Sequence, residues 1–189
     1  MSILKDILYK VTIEAVHGST DLPIEKIEFD SRKVSNNDVF VAIKGFLSDG
    51  HQFIDKAISL GASVVVCEDL PATLLENITY VKVQNSNQAL SYLAANYYNN
   101  PSQKLKLIGI TGTNGKTTIA SLLFQMFKKA GYKVGLLSTV KIMVVEVEYK
   151  ATHTTPDSLT INQYLDEMVE VGCEFCFMEV SSHGIHQKR

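Results

Sequence analysis

Leu105-Lys106-Leu107-Ile108-Gly109-Ile110-Thr111-Gly112-Thr113-Asn114-Gly115-Lys116-Thr117-Thr118 is the stretch that decides the fold. Leu105 to Ile110 has the apolar pattern of a strand. Beyond the glycines, Ile119, Leu122, Leu123, Met126, Phe127 and Ala130 recur at helical spacing on what reads as one face, and Gly131 supplies a stop. Strand, glycine-rich turn and helix together make an anion site. Backbone N–H groups of the turn and of the first helical turn point at a phosphate, and the helix dipole favours negative charge there. Lys116 then reaches terminal phosphates, and the Thr117 hydroxyl is placed to ligate Mg2+. The spacing departs from the usual phosphate loop, which has a further glycine where Ile110 stands. Gly112 and Gly115 still permit positive φ and a close backbone approach, so the chemistry is retained.

The 189 residues hold one large or two small domains. A composition of 46% hydrophobic and 20% charged residues, with net charge −2, is that of a globular protein and gives no basic excess for nucleic acid. No apolar run reaches the ~18–20 residues that cross a bilayer. Met1 to Asp6 lacks the basic and apolar blocks of a signal peptide, so the expected location is the cytoplasm. Three cysteines argue against a disulfide framework. Cys173 and Cys176 form a Cys-x-x-Cys without a second pair, and Cys176 begins a buried strand pattern, so both read as structural.

Strand and helix patterns alternate on both sides of Asn99-Asn100-Pro101-Ser102, the one convincing linker. Before it, residues 3–9 read as a short amphipathic helix, Ile24 to Phe29 as a weak strand and Val39 to Ile43 as a strand. His51 to Leu60 is helical, Ser63 to Cys67 and Thr79 to Val83 are strands, and Gln88 to Tyr98 is a helix. After it, Lys133 to Ser138 is a strand and Lys141 to Lys150 is β-rich. Ser158 to Val171 is a helix with Ile161, Leu165, Met168 and Val171 inward, and Phe175 to Val180 is a strand. The fold class is α/β throughout.

Glu179 is an acid near the end of an otherwise apolar strand, where burial without a partner is unfavourable. In open α/β sheets, ligands bind beyond the carboxyl ends of strands, and a phosphate loop sits at the same end. Glu179 is thus placed to meet Mg2+, directly or through water. His183 and His186 form a His-x-x-His with no third ligand in view, and Asp30-Ser31-Arg32 and Asp49-Gly50-His51 taken alone are ordinary polar loops.

The loop Thr111 to Thr118 resembles that of the Mur ligases, ATP-dependent amide-forming enzymes of peptidoglycan precursor synthesis; folylpolyglutamate synthase has a similar loop. Asp30-Ser31-Arg32-Lys33-Val34, Asp38 to Ala42, Gly45, Asp49 to Ile54 and Gly61-Ala62 resemble the N-terminal uridine-nucleotide domain of that family. Two branches share that N-terminal pattern; Thr154-Thr155-Pro156-Asp157 and Glu179-Val180-Ser181-Ser182-His183, with Gln187 and Arg189, are similar to the branch adding the third amino acid, and the D-alanyl-D-alanine-adding branch is the nearest alternative.

The resemblance implies a UDP-MurNAc-binding N-terminal domain over 1–100 and, over 101–189, the first part of a P-loop ATPase-type central domain. It implies ATP binding by Gly112, Thr113, Asn114, Gly115, Lys116, Thr117 and Thr118. Mg2+ falls to Thr117 and Glu179, and catalysis to Lys116 and Glu179. Ser31, Thr154, Thr155, Ser181, Gln187 and Arg189 hold the UDP-MurNAc-dipeptide, with the loop Phe46 to Ser48 lying against the uridine nucleotide. The implied partners are small molecules: ATP, UDP-N-acetylmuramoyl-L-alanyl-D-glutamate and an amino acid, by default meso-diaminopimelate. A monomer with no membrane span is expected. A carbamylated lysine and the amino-acid-selecting domain are expected beyond Arg189, which leaves this stretch without turnover and its central sheet with exposed apolar edges. A non-catalytic nucleotide-binding module is the alternative from another functional class.

Overall fold

A computed structural model of the chain describes residues 2–45, 48–151 and 155–188. The predicted sites Phe46, Thr154 and Arg189 lie outside the described residues. Two compact units result, Met1–Tyr97 and Tyr98–Arg189.

In the first unit, β1 (Ser2–Ile3) leads directly into α1 (Leu4–Ile7), followed by β2 (Ile13–His17), β3 (Pro23–Ile24), β4 (Ile27–Glu28) and β5 (Val39–Val41). A 3₁₀ turn, Gly50–Phe53, opens α2 (Ile54–Ser59), and β6 (Val64–Cys67), β7 (Thr79–Val83) and α3 (Ser86–Tyr97) complete the unit. The main sheet has the order β2-β7-β6-β5-β4, parallel from β4 to β7, with β2 antiparallel at one edge. Val64-Val65-Val66-Cys67 is fully buried, as a β-branched run must be in the middle of a parallel sheet covered on both faces. Phe40, Val65, Cys67 and Tyr80 pack with Ile54 and Ala57 of α2 on one face. The buried Tyr80 ring keeps its hydroxyl satisfied by the Leu75 N–H at 3.3 Å.

The second unit holds β8 (Lys106–Ile110), α4 (Lys116–Lys129), β9 (Val134–Leu137), β10 (Lys141–Val144), β11 (Val147–Lys150), α5 (Ser158–Glu170), β12 (Phe175–Glu179) and α6 (Ser182–His186). The sheet order is β11-β10-β9-β12-β8. β9, β12 and β8 run parallel, while β10 and β11 form an antiparallel hairpin on the β9 side. Alternation along the parallel strands divides the core. Leu136 and Phe177 face Ala120 and Phe124 of α4, and Leu137 and Cys176 face Ile161, Leu165 and Met168 of α5.

Several elements differ from the sequence reading. The stretch 24–29 is two short strands, β3 and β4, because the chain turns between them to serve two sheets. Lys141 to Lys150 folds back on itself through Val145, which takes φ +53°. The inward face of α4 is Ala120 and Phe124, with Leu123 and Phe127 half-buried, whereas Ile119, Leu122 and Met126 are about half exposed. Apolar residues occupy more than half of the α4 circumference, and β8, β9 and β12 cover only part of it. Val171 caps α5 and points outward instead of inward. The segment 182–186, with no apolar periodicity to announce it, forms a short helix because Ser181 caps it, accepting from the Gly184 N–H at 3.0 Å.

Candidate active site

The carboxyl ends of β8, β9 and β12 converge, and the residues just beyond them build the site. β8 ends at Ile110 and the loop Thr111 to Gly115 comes next, open to solvent. Gly112 takes φ +146° and Gly115, the residue before α4, takes φ +82°, a left-handed value that admits glycine without strain. The first turn of α4 carries no acid and begins with Lys116, so its free N–H groups and dipole face the loop unopposed. Lys116 folds its ammonium back over the loop, donating to the Gly112 carbonyl at 2.7 Å. A cation and a ring of backbone donors thus surround a space suited to phosphate oxygens.

Glu179 ends β12, in register with Ile110 of β8, and is only 1% exposed. Its carboxylate accepts three hydrogen bonds. The Thr117 hydroxyl donates to Oε2 at 2.9 Å, the Thr139 hydroxyl to Oε2 at 3.0 Å and the Thr139 N–H to Oε1 at 2.8 Å. Among the described residues no lysine, arginine or histidine forms an ion pair with it. A buried carboxylate with donors but no counter-charge, facing an anion cradle, suits a divalent cation between the two. Mg2+ is commonly held by one or two protein ligands, with waters and phosphate oxygens completing its shell, and Thr117 and Glu179 fit that donor set. Thr139 escaped the sequence reading. Its signal was the polar pair Ser138-Thr139 placed directly after the fully apolar β9, at the end of the sheet where ligands bind.

Thr155 and Ser181 come together beside this centre. The Thr155 hydroxyl accepts from the Ser181 N–H at 3.0 Å and lies 3.1 Å from Ser181 Oγ and 3.3 Å from the Glu179 carbonyl. Thr155 is thus buried as a bolt between its loop and the β12–α6 turn, while Ser181 is half-buried. Gln187 lies just after α6, and its Oε1 is buried without a partner among the described residues, an acceptor awaiting a donor. His183 and His186 are exposed on α6, and among the described residues no three His, Cys, Asp or Glu side chains gather as a metal site.

Ser31 belongs to the first unit, buried in the turn after β4. The flanking Asp30 and Arg32 pair with each other through two contacts, 2.8 and 2.9 Å. The Arg32 guanidinium holds the Asp30 carboxyl down at a pKa of about 2. Asp49 caps the 3₁₀ turn and contacts His51 Nδ1 at 2.6 Å, while His51 Nε2 accepts the Glu68 N–H at 2.9 Å. That acceptance places the ring proton on Nδ1. His51 therefore ties its loop to the end of β6.

The description "Mur ligase family, catalytic domain" matches residues 23–98, and "Mur ligase middle domain" matches 110–189, with the loop, Thr139 and Glu179 inside the second. The chain belongs to the Mur ligase family. A UDP-N-acetylmuramoyl-L-alanyl-D-glutamate–2,6-diaminopimelate ligase of Cytophaga hutchinsonii is 50% identical over 187 residues, 98% of this chain and 38% of that protein. A solved Mur ligase structure bearing the same ligase name superposes with a TM-score of 0.77 at 24% identity, covering 98% of this chain and 37% of the other. A D-alanyl-D-alanyl-adding Mur ligase from Acinetobacter baumannii superposes with a TM-score of 0.62 at 21% identity, over 95% of this chain and 36% of its own. These two likenesses establish the Mur ligase fold. The chain spans less than two fifths of the length of these relatives.

Proposed function

We propose that the protein carrying this chain adds meso-diaminopimelate to UDP-N-acetylmuramoyl-L-alanyl-D-glutamate at the expense of ATP. The observation that carries the chemistry is the buried Glu179 carboxylate, without a cationic side-chain partner among the described residues, facing the Gly112 to Thr118 cradle. The choice of amino acid rests on the name of the relative that is 50% identical.

In this reading residues 1–100 form the uridine-nucleotide domain and 101–189 the first part of the central ATPase domain. Gly112 to Thr118 bind ATP, with the loop N–H groups on its phosphates. Lys116 leaves the Gly112 carbonyl to track the γ-phosphate. Thr117 and Glu179 hold Mg2+, which when bound neutralises phosphate charge during transfer. Ser31, Thr154, Thr155, Ser181, Gln187 and Arg189 hold the UDP-linked dipeptide. Thr155 acts largely by fixing Ser181, and Gln187 Oε1, unpartnered among the described residues, takes a donor from the substrate.

The D-glutamyl side-chain carboxylate attacks the γ-phosphorus, ADP leaves and an acyl phosphate forms. The amine of diaminopimelate then adds to the acyl carbon, and the tetrahedral adduct collapses with loss of phosphate and a proton. Catalysis is positioning and charge neutralisation, the roles open to Lys116 and the loop N–H groups. The enzyme acts in the cytoplasm as a monomer. The test is a heavy-oxygen label in the D-glutamyl side-chain carboxylate. One label per turnover appears in the released phosphate if the acyl phosphate forms, and its absence rejects the mechanism.

A further inference from the structure

Two of the three hydrogen bonds to Glu179 come from one residue, Thr139. An ionised carboxylate has about four lone-pair positions. Both on Oε2 are taken, by the Thr117 and Thr139 hydroxyls, and one on Oε1 is taken by the Thr139 N–H, so among the described residues a single Oε1 position is left. Thr139 therefore grips the carboxylate at both oxygens and sets its rotation, while each threonine hydroxyl, having given its hydrogen, keeps lone pairs for other partners.

Thr139 is itself held in place. Ser138, almost fully buried, closes the turn below it. Its N–H and hydroxyl both donate to the Lys141 carbonyl, at 3.1 and 2.8 Å, and its oxygen accepts the Lys141 N–H at 3.2 Å. The Lys141 ammonium pairs with Glu148 of the hairpin at 3.6 Å, so this neighbouring cation is engaged away from the carboxylate.

We propose that Thr139 is the positioning residue of the cation site: its N–H and hydroxyl fix Glu179 so that Oε1 is the atom presented to a divalent ion, with Thr117 beside it. This rests on the ligase reading for the identity of the reaction, but not for the binding of the ion. Partners that orient a metal ligand contribute about 10- to 100-fold in metal affinity.

The test uses the full-length protein with a non-hydrolysable ATP analogue and manganese(II) as probe, read by electron paramagnetic resonance. Thr139→Val removes the hydroxyl and keeps the N–H, at an exposed position. The expected result is manganese binding at least ~10-fold weaker, with Thr139→Ser restoring the wild-type titration. In turnover, the Mg2+ activation curve shifts by the same factor, kcat recovers at high Mg2+, and KM for the UDP-linked substrate stays constant. If Thr139→Val does not fold, Thr139→Ala is titrated in its place. Equal manganese affinity in wild type and hydroxyl-free variant overturns the proposal, as does a serine variant as weak as valine. Failure of the wild type to release phosphate with any amino acid would sink the ligase reading alone, since the manganese titration does not depend on turnover.

Discussion

Thr117 on the first turn of α4 donates to Glu179 at the end of β12 across 62 residues of sequence, at 2.9 Å. The contact joins the phosphate-binding loop to the acid that faces it. It exists because β8 and β12 are parallel neighbours in register, Ile110 beside Glu179, so that the loop and helix leaving β8 meet the last residue of β12.

Lys116 rests on the carbonyls of its own loop, and among the described residues no acid forms an ion pair with its ammonium. Its transfer to a phosphate is therefore unobstructed. Lys116→Ala in the full-length protein is expected to lower ATP turnover by at least ~10²-fold, the scale for losing one preorganised donor. Binding of the UDP-linked substrate, measured calorimetrically, is expected to stay nearly unchanged. Full residual turnover would contradict the assignment of the loop.

Gly61 and Gly131 both end helices at positive φ, +113° and +92°. They differ in surroundings. A Cβ on Gly61 would lie 2.8 Å from Asn36 Cα and 2.9 Å from Asn36 N, backbone atoms that cannot step aside, whereas one on Gly131 meets nothing within 4 Å. Gly131→Ala should carry only the left-handed penalty, about 1–2 kcal/mol. Gly61→Ala should exceed it by ~1 kcal/mol or more, through backbone displacement. Urea unfolding of the two variants checks this; equal losses would mean that the backbone at Asn36 yields to the added methyl group.

His51 bridges Asp49 and the Glu68 N–H, so His51→Ala leaves the Glu68 backbone donor without its acceptor, while Asp49 keeps the backbone N–H of residue 51. A loss of about 1–3 kcal/mol is expected. His51→Asn, too short to span both, should recover little. Hydrogen exchange at the Glu68 amide is the direct readout, and unchanged protection would contradict the bridge.

Much of this architecture is legible in the sequence, and the reasons are local. The phosphate loop can be read because glycine, lysine and hydroxyl spacing encodes backbone geometry within a few residues. Val64 to Cys67 can be read because a continuous β-branched run has few alternatives. The orientation of α4 cannot. Apolar residues ring much of that helix, and which of them are buried depends on how far the sheet extends over it. Thr139 is missed for a related reason: its value comes from β9 and β12 lying side by side, a relation between residues 40 apart that no periodicity carries. The short helix after Ser181 rests on one capping hydroxyl and the Thr155 contact to it.

The three cysteines are free and buried. Burial pushes the Cys67 thiol up to about 11 and raises those of Cys173 and Cys176 as well. In the native protein none of the three should react with a disulfide reagent at pH 8, and all three should react after denaturation. Since the folded thiol lies above the unfolded value of 9.0, the contribution of Cys67 to stability is intact below that pH and is lost as pH rises towards 11. A fast native reaction at pH 8 would show that one of these buried segments opens.

The most direct measurement of the central claim is phosphate release from ATP by the full-length protein supplied with UDP-N-acetylmuramoyl-L-alanyl-D-glutamate. Separate reactions receive meso-diaminopimelate, L-lysine or D-alanyl-D-alanine. Release dependent on meso-diaminopimelate alone is the predicted result. Release only with D-alanyl-D-alanine would contradict the substrate assignment carried by Thr155, Ser181 and Gln187, and release with none of the three would contradict the ligase function as a whole.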